Sequence, residues 1–150
     1  MSEFKVTLNW KAESDDFSYQ KYLRTHLWTF GGGIQVQASA APEYIGNAEL
    51  VNPEEAFLAS LSSCHLLTFL AIASFRKFIV TSYTDNPVAL LEKNGNGKMF
   101  VSKAYLRPKV EFTGANLPDE NQIKEMHEKA HNECFISNSV LTEVIVEPAS

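Results

Sequence analysis

Apolar and polar residues alternate with a period of two in the first forty residues of the chain. The apolar members of this alternation are Phe4, Val6, Leu8, Trp10, Ile34, Val36 and Ala38. Between the two alternating stretches, Tyr22–Phe30 is rich in aromatic and β-favouring residues, and Gly31–Gly33 then breaks the chain. Alternation of this kind is typical of strands with one buried face. The N-terminal region therefore predicts a β-meander with a flexible corner at the glycines.

The central part of the chain has a helical pattern with strong start signals. Asn52 can cap the helix, Pro53 suits the first helical position, and Glu54 and Glu55 suit the positive end of the helix dipole. The residues that follow are apolar nearly all round the helix, which is typical of a buried helix. We therefore predict a buried central helix that runs to about Phe78.

The same segment has to be compared with a membrane span. Residues 56–75 carry no formal charge, but they include several serines, a threonine and a histidine. That content is too polar for a strong span signal, and no Trp or Tyr lies close to either end. A core helix is favoured, and no membrane is expected among the partners.

The second half of the chain predicts further strands. They are expected at Ile79–Tyr83, Val88–Lys93 and Phe100–Phe112. Asn94–Gly97 is a strong turn signal between the last two of them. Pro108 indicates a bulge or a sheet edge within the third.

An amphipathic helix and a final strand complete the predicted elements. The helix opens near Asp119, which with Gln122 resembles a capping box. Its apolar stripe consists of Ile123, Met126, Ala130 and Cys134. Residues 140–147 close the chain as a strand. Together the elements predict an α+β fold in one domain over residues 1–150, with a long buried helix packed against a mostly antiparallel sheet.

Composition and charge narrow the classes of partner. The 150 residues are 45% hydrophobic and 21% charged, with a net charge of −5 and a pI of about 5.3. This acidic balance argues against nucleic acid as a partner, since nucleic acids call for clustered basic residues. The N-terminus has no apolar signal-peptide core, so the cytoplasm is the expected compartment. Disulfides there are usually catalytic or redox-sensing, which makes the cysteines of interest.

The chain has two cysteines, Cys64 in the buried helix and Cys134 at the end of the amphipathic helix. A thiol reacts as its thiolate, and apolar surroundings raise its pKa. Cys64 lies about three turns into its helix, where the helix dipole no longer acts. It therefore needs a cation from elsewhere in the fold. Arginine supplies both a permanent charge and a planar fork of N–H groups.

Arg24 is the leading candidate for this cation, because it lies among the aromatic residues of segment 22–28. A carboxylate such as Glu54 could hold its guanidinium in a bidentate pair. Each residue also has a simpler interpretation. Arg24 could be an outward-facing residue on a strand, and Glu54 could serve only as an acid at the helix N-terminus.

Three motifs, in their order along the chain, resemble the OsmC/Ohr family of osmotically inducible protein C and organic hydroperoxide resistance proteins. They are Asn52-Pro53-Glu54-Glu55, Ala59-Ser60-Leu61-Ser62-Ser63-Cys64-His65 and Cys134-Phe135-Ile136-Ser137-Asn138-Ser139. The order of strands, helices and cysteines covers almost the whole chain. The resemblance implies an OsmC-like fold in an intertwined homodimer. It also implies a thiol-dependent peroxidase that reduces organic hydroperoxides in oxidative-stress defence.

The resemblance assigns roles to four residues. Cys64 is the peroxidatic cysteine, Cys134 is the resolving one, and Glu54 orients an arginine whose best equivalent here is Arg24. Peroxide oxidises Cys64 to a sulfenic acid, which Cys134 converts to a disulfide. An external dithiol, often lipoyl-bound in this family, then reduces the disulfide. Neither a metal nor an organic cofactor is implied. The family more often has an aromatic residue directly after its first cysteine, where this chain has His65.

The spacing along the first helix bears on how these residues could meet. Glu54 and Cys64 are about 15 Å apart along a straight helix. One arginine that touched both from one side would be stretched. We therefore predict that Arg24 and Glu54 act on Cys64 of the other subunit, across the dimer.

The histidines near the cysteines have simple structural interpretations. His65 lies about 100° round the helix from Cys64, so it is expected to pack or to bond locally. His127 and His131 share a helix face with Cys134 and could assist it. Exposure on an amphipathic helix is nevertheless the favoured interpretation for both.

Three other interpretations of the cysteines stay open. A zinc site with His65 and His131 is disfavoured, because adjacent Cys64 and His65 point apart and no CxxC spacing exists. Both cysteines could instead be small buried hydrophobes. The chain could also be a non-catalytic OsmC-like module that binds an apolar ligand at the dimer interface. Fast alkylation of Cys64 near neutral pH would distinguish a catalytic thiol from a structural one.

Overall fold

The computed structural model describes residues 1–149 and contains eight strands and two α-helices in that range. The chain folds as two compact units, Met1–Ala56 and a second that begins at Phe57. The elements are β1 (Val6–Asn9), β2 (His26–Phe30), β3 (Gln35–Ala38), α1 (Pro53–Phe75), β4 (Ile79–Thr84), β5 (Val88–Lys93), β6 (Met99–Leu106), β7 (Lys109–Thr113), α2 (Glu120–Glu133) and β8 (Glu143–Val146). A single domain over residues 1–150 remains a prediction.

The first unit contains the predicted meander. Strand β2 pairs with β1 on one side and with β3 on the other. Both pairings are antiparallel, and Trp28 lies opposite Leu8 and Val36. Strand β2 begins at His26 rather than at Tyr22, so the predicted long strand is wrong in its first residues.

A turn at residues 18–22 replaces the start of that strand. The Tyr22 N–H donates to the Ser18 carbonyl at 3.1 Å, and the Arg24 guanidinium donates to the Tyr22 carbonyl at 2.6 Å. Because local partners occupy these backbone groups, the groups cannot join a sheet ladder. Local hydrogen bonds therefore override the β propensity of the aromatic residues.

Helix α1 starts as predicted and ends earlier. The Asn52 side chain accepts the Glu55 N–H at 2.9 Å, which confirms the predicted cap. The helix ends at Phe75 instead of Phe78, because Lys77 adopts a left-handed φ of 66°. The Phe78 N–H then donates back into the last turn at 3.0 Å, in the manner of a Schellman motif.

Helix α1 buries one stripe of side chains within the single chain. The buried positions are Leu61, His65, Phe69, Ile72 and Ala73. Leu67 and Phe75 keep 63% and 85% of their surface exposed, so the single chain does not enclose the helix all round. By length and composition alone the helix could cross a membrane. Its buried stripe is instead what a core helix is expected to have.

The second unit contains two sheets. Strands β4 and β7 form one, and β5, β6 and β8 form the other in that order. The β4–β7 and β5–β6 pairs are antiparallel, whereas β6 and β8 run parallel. The predicted single strand Phe100–Phe112 is wrong, because the chain divides at Pro108 into β6 and β7. Pro108 has no N–H for a ladder, and the Arg107 N–H donates to Asp85 Oδ1 at 2.7 Å.

Helix α2 packs its apolar stripe into the core of the second unit. The buried core cluster consists of Phe69, Ile72, Ala73, Phe78, Met126 and Ala130. Strands β4 and β7 contribute Val80, Tyr83, Val110 and Phe112 against it. Asp119 and Gln122 exchange side-chain and backbone hydrogen bonds at 2.8 and 2.9 Å, which confirms the capping box. The mostly antiparallel sheets and the two helices confirm the α+β class.

Gly46 in the first unit lies so close to the backbone of Ala40 that no side chain fits at this position. A Cβ atom at Gly46 would lie 1.6 Å from the carbonyl oxygen of Ala40. Gly46→Ala is therefore expected to lower the free energy of unfolding by about 3 kcal/mol, the upper part of the range for overpacking. Urea unfolding measures the effect. At Gly32 a Cβ meets nothing within 4 Å, so Gly32→Ala is the matched control. Equal stabilities of the two variants would contradict the close approach.

Candidate active site

The two cysteines meet in the second unit. Cys64 lies in α1 and is partly exposed, whereas Cys134 directly follows α2 and is buried. The two thiols lie close enough together that each shifts the pKa of the other, and both cysteines are free. The Ser137 N–H donates to Cys134 Sγ at 3.4 Å, and Thr68 Oγ1 donates to the Cys64 carbonyl at 2.8 Å. The fold therefore joins two residues that are far apart in the sequence.

The surroundings of the two sulfur atoms give the two thiols different pKa values. Burial raises the pKa of Cys64, but hydrogen bonds from the Cys134 thiol and from the amides of Ile136 and Phe135 outweigh it and lower that pKa below its ordinary value. Burial, and then the hydrogen bond to Cys64, raise the pKa of Cys134 to about 11. Cys64 is consequently the first of the two to ionise, and Cys134 keeps its proton.

The groups that stabilise the Cys64 thiolate in the single chain differ from the cation that the sequence suggests. They are the Cys134 thiol and the backbone amides of Phe135 and Ile136. Backbone amides carry no signature in a sequence, so residue types alone could not identify them. The one available signal was the predicted end of α2 at Cys134, since a chain that leaves a helix can turn its N–H groups toward a nearby anion.

Arg24 lies in the first unit and is bound to its own segment. Its Nη1 donates to the Tyr22 carbonyl and its Nη2 to the Tyr19 carbonyl, both at 2.6 Å. The guanidinium carbon also lies 3.7 Å from the ring centroid of Tyr22 and 4.8 Å from that of Tyr19. Arg24 is therefore neither a solvated strand residue nor a free cation within the single chain.

A cavity of about 450 Å³ in the first unit contains both predicted charges. Its lining includes Trp10, Phe17, Tyr22, Arg24, Tyr44 and Glu54. Among residues 1–149 no ion pair joins Arg24 to Glu54, although both face this cavity. The lining is mostly apolar and includes the rings of Trp10, Phe17, Tyr22 and Tyr44, and the volume lies within the range of small-molecule sites. The catalytic roles of Arg24 and Glu54 stay predictions.

The histidines beside the cysteines are placed differently from one another. His65 was expected to pack or to bond locally; it is buried, and its bond at 3.0 Å is to His127 on α2 rather than to a neighbour in its own helix. His127 was expected to be exposed, and this is wrong, because it stacks on Phe69 in the core with ring centroids 4.2 Å apart. His131 is partly buried and lies 3.4 Å from Ser137 Oγ. In the described part of the chain, no three metal-ligating side chains converge.

Comparison with known proteins identifies the family. A family model described as OsmC-like protein matches residues 46–148. The chain belongs to the OsmC-like family. A solved OsmC-like protein of unknown function from Vibrio cholerae is 46% identical, with a TM-score of 0.96 over 99% of this chain and 100% of that one. A comparison with curated proteins gave no match.

Two structures of organic hydroperoxide resistance proteins share the OsmC-like fold at low identity. The protein from Elizabethkingia anophelis is 17% identical, with a TM-score of 0.72 over 99% of this chain and 94% of that one. OhrB of Bacillus subtilis is 18% identical, with a TM-score of 0.70 over 99% of this chain and 98% of that one. At these identities the likeness shows the fold alone. It confirms the OsmC-like fold expected from the motifs.

Proposed function

We propose that this OsmC-like chain is a thiol peroxidase that reduces organic hydroperoxides in oxidative-stress defence, with Cys64 as the peroxidatic and Cys134 as the resolving cysteine. The observation that carries the proposal is the proximity of two free thiols whose pKa values shift in opposite directions. A lowered pKa provides the nucleophile. A thiol that stays protonated beside it can donate a proton and later condense with the oxidised sulfur.

The reaction proceeds in three steps. The Cys64 thiolate attacks the distal oxygen of the hydroperoxide, the O–O bond breaks, and the alkoxide leaves and takes up a proton as the alcohol. Cys64 is now a sulfenic acid, and the Cys134 sulfur attacks it to form a disulfide with loss of water. An external dithiol, such as a lipoyl group, reduces the disulfide by exchange and becomes a disulfide itself. Each turnover uses two electrons from the dithiol and needs no metal or organic cofactor.

The names of the structural relatives agree with this chemistry. Two of the solved structures that share the fold are called organic hydroperoxide resistance proteins. The 46% identical relative is described as of unknown function. The activity of this chain is therefore proposed from its own thiol pair, and the family supplies the class of substrate. We place the enzyme in the cytoplasm, where a transient disulfide is typical of catalysis.

Homodimerisation is part of the proposal, because the first unit leaves its apolar face uncovered in the single chain. Phe4 and Leu8, on the N-terminal strand, keep 93% and 59% of their surface exposed. Other large apolar side chains of this unit are exposed as well, among them Val6, Trp10, Phe17, Leu23 and Ile34. An apolar surface of this extent is typical of an interface. We infer that a second copy covers it.

The dimer also gives Arg24 and Glu54 a place in the mechanism. Within one chain they belong to the first unit, whereas Cys64 belongs to the second. We propose that the cavity carrying both charges faces Cys64 of the partner subunit and holds the peroxide there. Arg24 would then leave a backbone carbonyl and donate to the peroxide oxygens, which a planar guanidinium can do with two N–H groups.

Mixing two inactive variants tests this trans arrangement. A heterodimer of Cys64→Ser and Arg24→Ala chains contains one site with Arg24 from one chain and Cys64 from the other. If the site is shared, random exchange of subunits should restore about a quarter of the wild-type rate, because half the dimers are mixed and each has one intact site. A mixture no more active than its separate components would contradict the arrangement. Mixing Cys64→Ser with Cys134→Ser is the control, because these two residues act within one chain.

The peroxidase proposal is tested by consumption of cumene hydroperoxide and of hydrogen peroxide by the wild-type protein. Dithiothreitol and dihydrolipoamide serve as alternative reductants. The proposal predicts catalytic turnover and a higher kcat/KM for cumene hydroperoxide, since the aromatic cavity offers it apolar contacts that hydrogen peroxide cannot make. Absence of turnover with both peroxides and both reductants would overturn the proposal.

The second candidate function is a non-catalytic module that binds an apolar ligand. The aromatic cavity of about 450 Å³ favours it, because its volume and lining suit a small aromatic molecule. Titration with a fluorescent naphthalene probe distinguishes the candidates. A binding module should bind the probe, show no turnover, and behave identically as wild type and as Cys64→Ser.

A further inference from the structure

Two histidines form a hydrogen bond between α1, which carries Cys64, and α2, which ends directly before Cys134. His65 Nε2 and His127 Nδ1 are 3.0 Å apart. The rings are almost coplanar, with an angle of 3° and centroids 5.3 Å apart. Both residues are buried, at 1% and 3% exposure. One nitrogen of the pair donates its proton and the other accepts it.

This bond is the one hydrogen bond that either ring makes in the described residues. His65 Nδ1 and His127 Nε2, the other two nitrogens, are buried without a partner between residues 1 and 149. Buried polar atoms without partners are costly. An all-apolar contact at this place would avoid that cost, and the neighbouring core of Phe69, Ile72 and Met126 is apolar. The pair therefore calls for an explanation other than packing.

The positions of the histidines in the chain supply that explanation. His65 directly follows Cys64 in α1, and His127 lies about two turns before Cys134 in α2. Apolar packing between the helices is non-directional and permits small shifts along their axes. A hydrogen bond fixes the separation and orientation of its partners within a few tenths of an ångström. It would therefore fix the spacing of the two sulfur atoms.

We propose that the His65–His127 hydrogen bond is a positioning device that holds α1 and α2 in the arrangement in which Cys64 and Cys134 form their disulfide. The part of this role that concerns catalysis rests on the proposed peroxidase function. The thiol–disulfide equilibrium itself does not, because it can be measured without peroxide. Neither histidine exchanges a proton with substrate, so both act through the cysteines.

The other titratable side chains around the pair fit this role. Burial, and then the nearby His131, lower the pKa of His65 to about 4, against the opposing effect of Asp85. Burial, and then His65, lower the pKa of His127 to about 4. Both rings are consequently neutral near pH 7. A neutral pair can share one proton between two nitrogens, whereas two imidazolium rings would both be donors.

The test is the equilibrium of the thiol pair with dithiothreitol. Two electrons and two protons pass from Cys64 and Cys134 to oxidised dithiothreitol as the protein disulfide forms, and the ratio of products gives an effective thiol concentration. His65→Phe/His127→Phe replaces both rings by apolar rings of similar shape, which should leave stability nearly unchanged. His65→Gln keeps an amide near the position of Nε2 and is the conservative rescue variant. Ile72→Val perturbs the same core without touching the bond and is the packing control.

We expect the double phenylalanine variant to lose about fivefold in effective thiol concentration, the factor that corresponds to one hydrogen bond. His65→Gln should recover at least half of the wild-type value, and Ile72→Val should keep all of it. With cumene hydroperoxide, formation of the Cys64 sulfenic acid should keep its rate while disulfide formation slows by a similar factor.

Two results would overturn the proposal. One is an effective thiol concentration in the double variant within twofold of wild type. The other is a decrease that follows the free energy of unfolding across all variants, Ile72→Val included. If the double variant does not fold, the effective thiol concentrations of His65→Gln and His65→Leu are compared instead. A positioning role predicts that His65→Gln keeps most of the wild-type value and that His65→Leu loses it. If no variant consumes peroxide, the peroxidase function fails while the dithiothreitol equilibrium still decides this proposal.

Discussion

Cys64→Ser is expected to reduce the rate of cumene hydroperoxide consumption at least about 100-fold, to the background of the dithiol alone. The thiolate is the attacking species, and a serine hydroxyl does not ionise near neutral pH, so it cannot take over this role. The lowered pKa of Cys64 is what makes its thiolate available. Stopped-flow measurement with limiting hydroperoxide records the loss directly.

Cys134→Ser is the matched control for this result. It changes the other sulfur of the same contact, but the serine hydroxyl can still donate a hydrogen bond to the Cys64 thiolate. The first oxidation of Cys64 should therefore keep a rate within about tenfold of wild type, since one hydrogen bond of altered strength is worth about 1 kcal/mol. The variant should accumulate sulfenic acid, because no resolving thiol is present. Equal losses in the two variants would show that the cysteines do not have ordered roles.

Acid should destabilise the protein through the buried histidine pair. Burial first, and then the nearby His131 for His65 and the nearby His65 for His127, depress both pKa values from 6.5 to about 4. The unfolded chain therefore binds more protons than the folded one between these pH values. Stability is fully present above pH 6.5, falls as the pH drops toward 4, and levels off below it. The loss for the pair is on the order of a few kcal/mol.

Urea unfolding between pH 7.5 and pH 4 measures this dependence. His65→Phe/His127→Phe removes both titrating groups, while Asp85 and His131 remain in place. The difference between the two curves therefore isolates the pair from the carboxylates that titrate at lower pH. A wild-type curve parallel to that of the double variant would contradict the buried, neutral state of the histidines.

The regular elements could be predicted from the sequence where one strong local signal dominates. The Asn52 cap, the Asp119–Gln122 capping box and the apolar stripe of α2 are all found as expected. Each depends on residues within one or two turns of each other. Sequence reasoning failed where competing partners are more distant or lie in the backbone. Pro108 divides a strand between two sheets, and the segment before His26 uses its carbonyls in a turn.

The candidate site likewise combines features that could be predicted from the sequence with features that depend on the three-dimensional structure. That Cys64 and Cys134 would meet followed from the resemblance to the family, and the fold brings them into contact. The amides of Phe135 and Ile136 could not be foreseen, because backbone direction after a helix end is set by the three-dimensional structure. His127 illustrates a different limit. On its own helix it resembles an exposed polar residue, and its burial depends on His65 and Phe69, both of which lie on another helix.

The order of oxidation of the two cysteines tests the central claim most directly. The protein is treated with one equivalent of cumene hydroperoxide, digested without reductant and examined by mass spectrometry, and Cys134→Ser is treated in the same way with dimedone present. The peroxidase account predicts a Cys64–Cys134 disulfide in the wild type and a dimedone adduct on Cys64 in the variant. Reduced Cys64 in both samples, with peroxide left unconsumed, would contradict it.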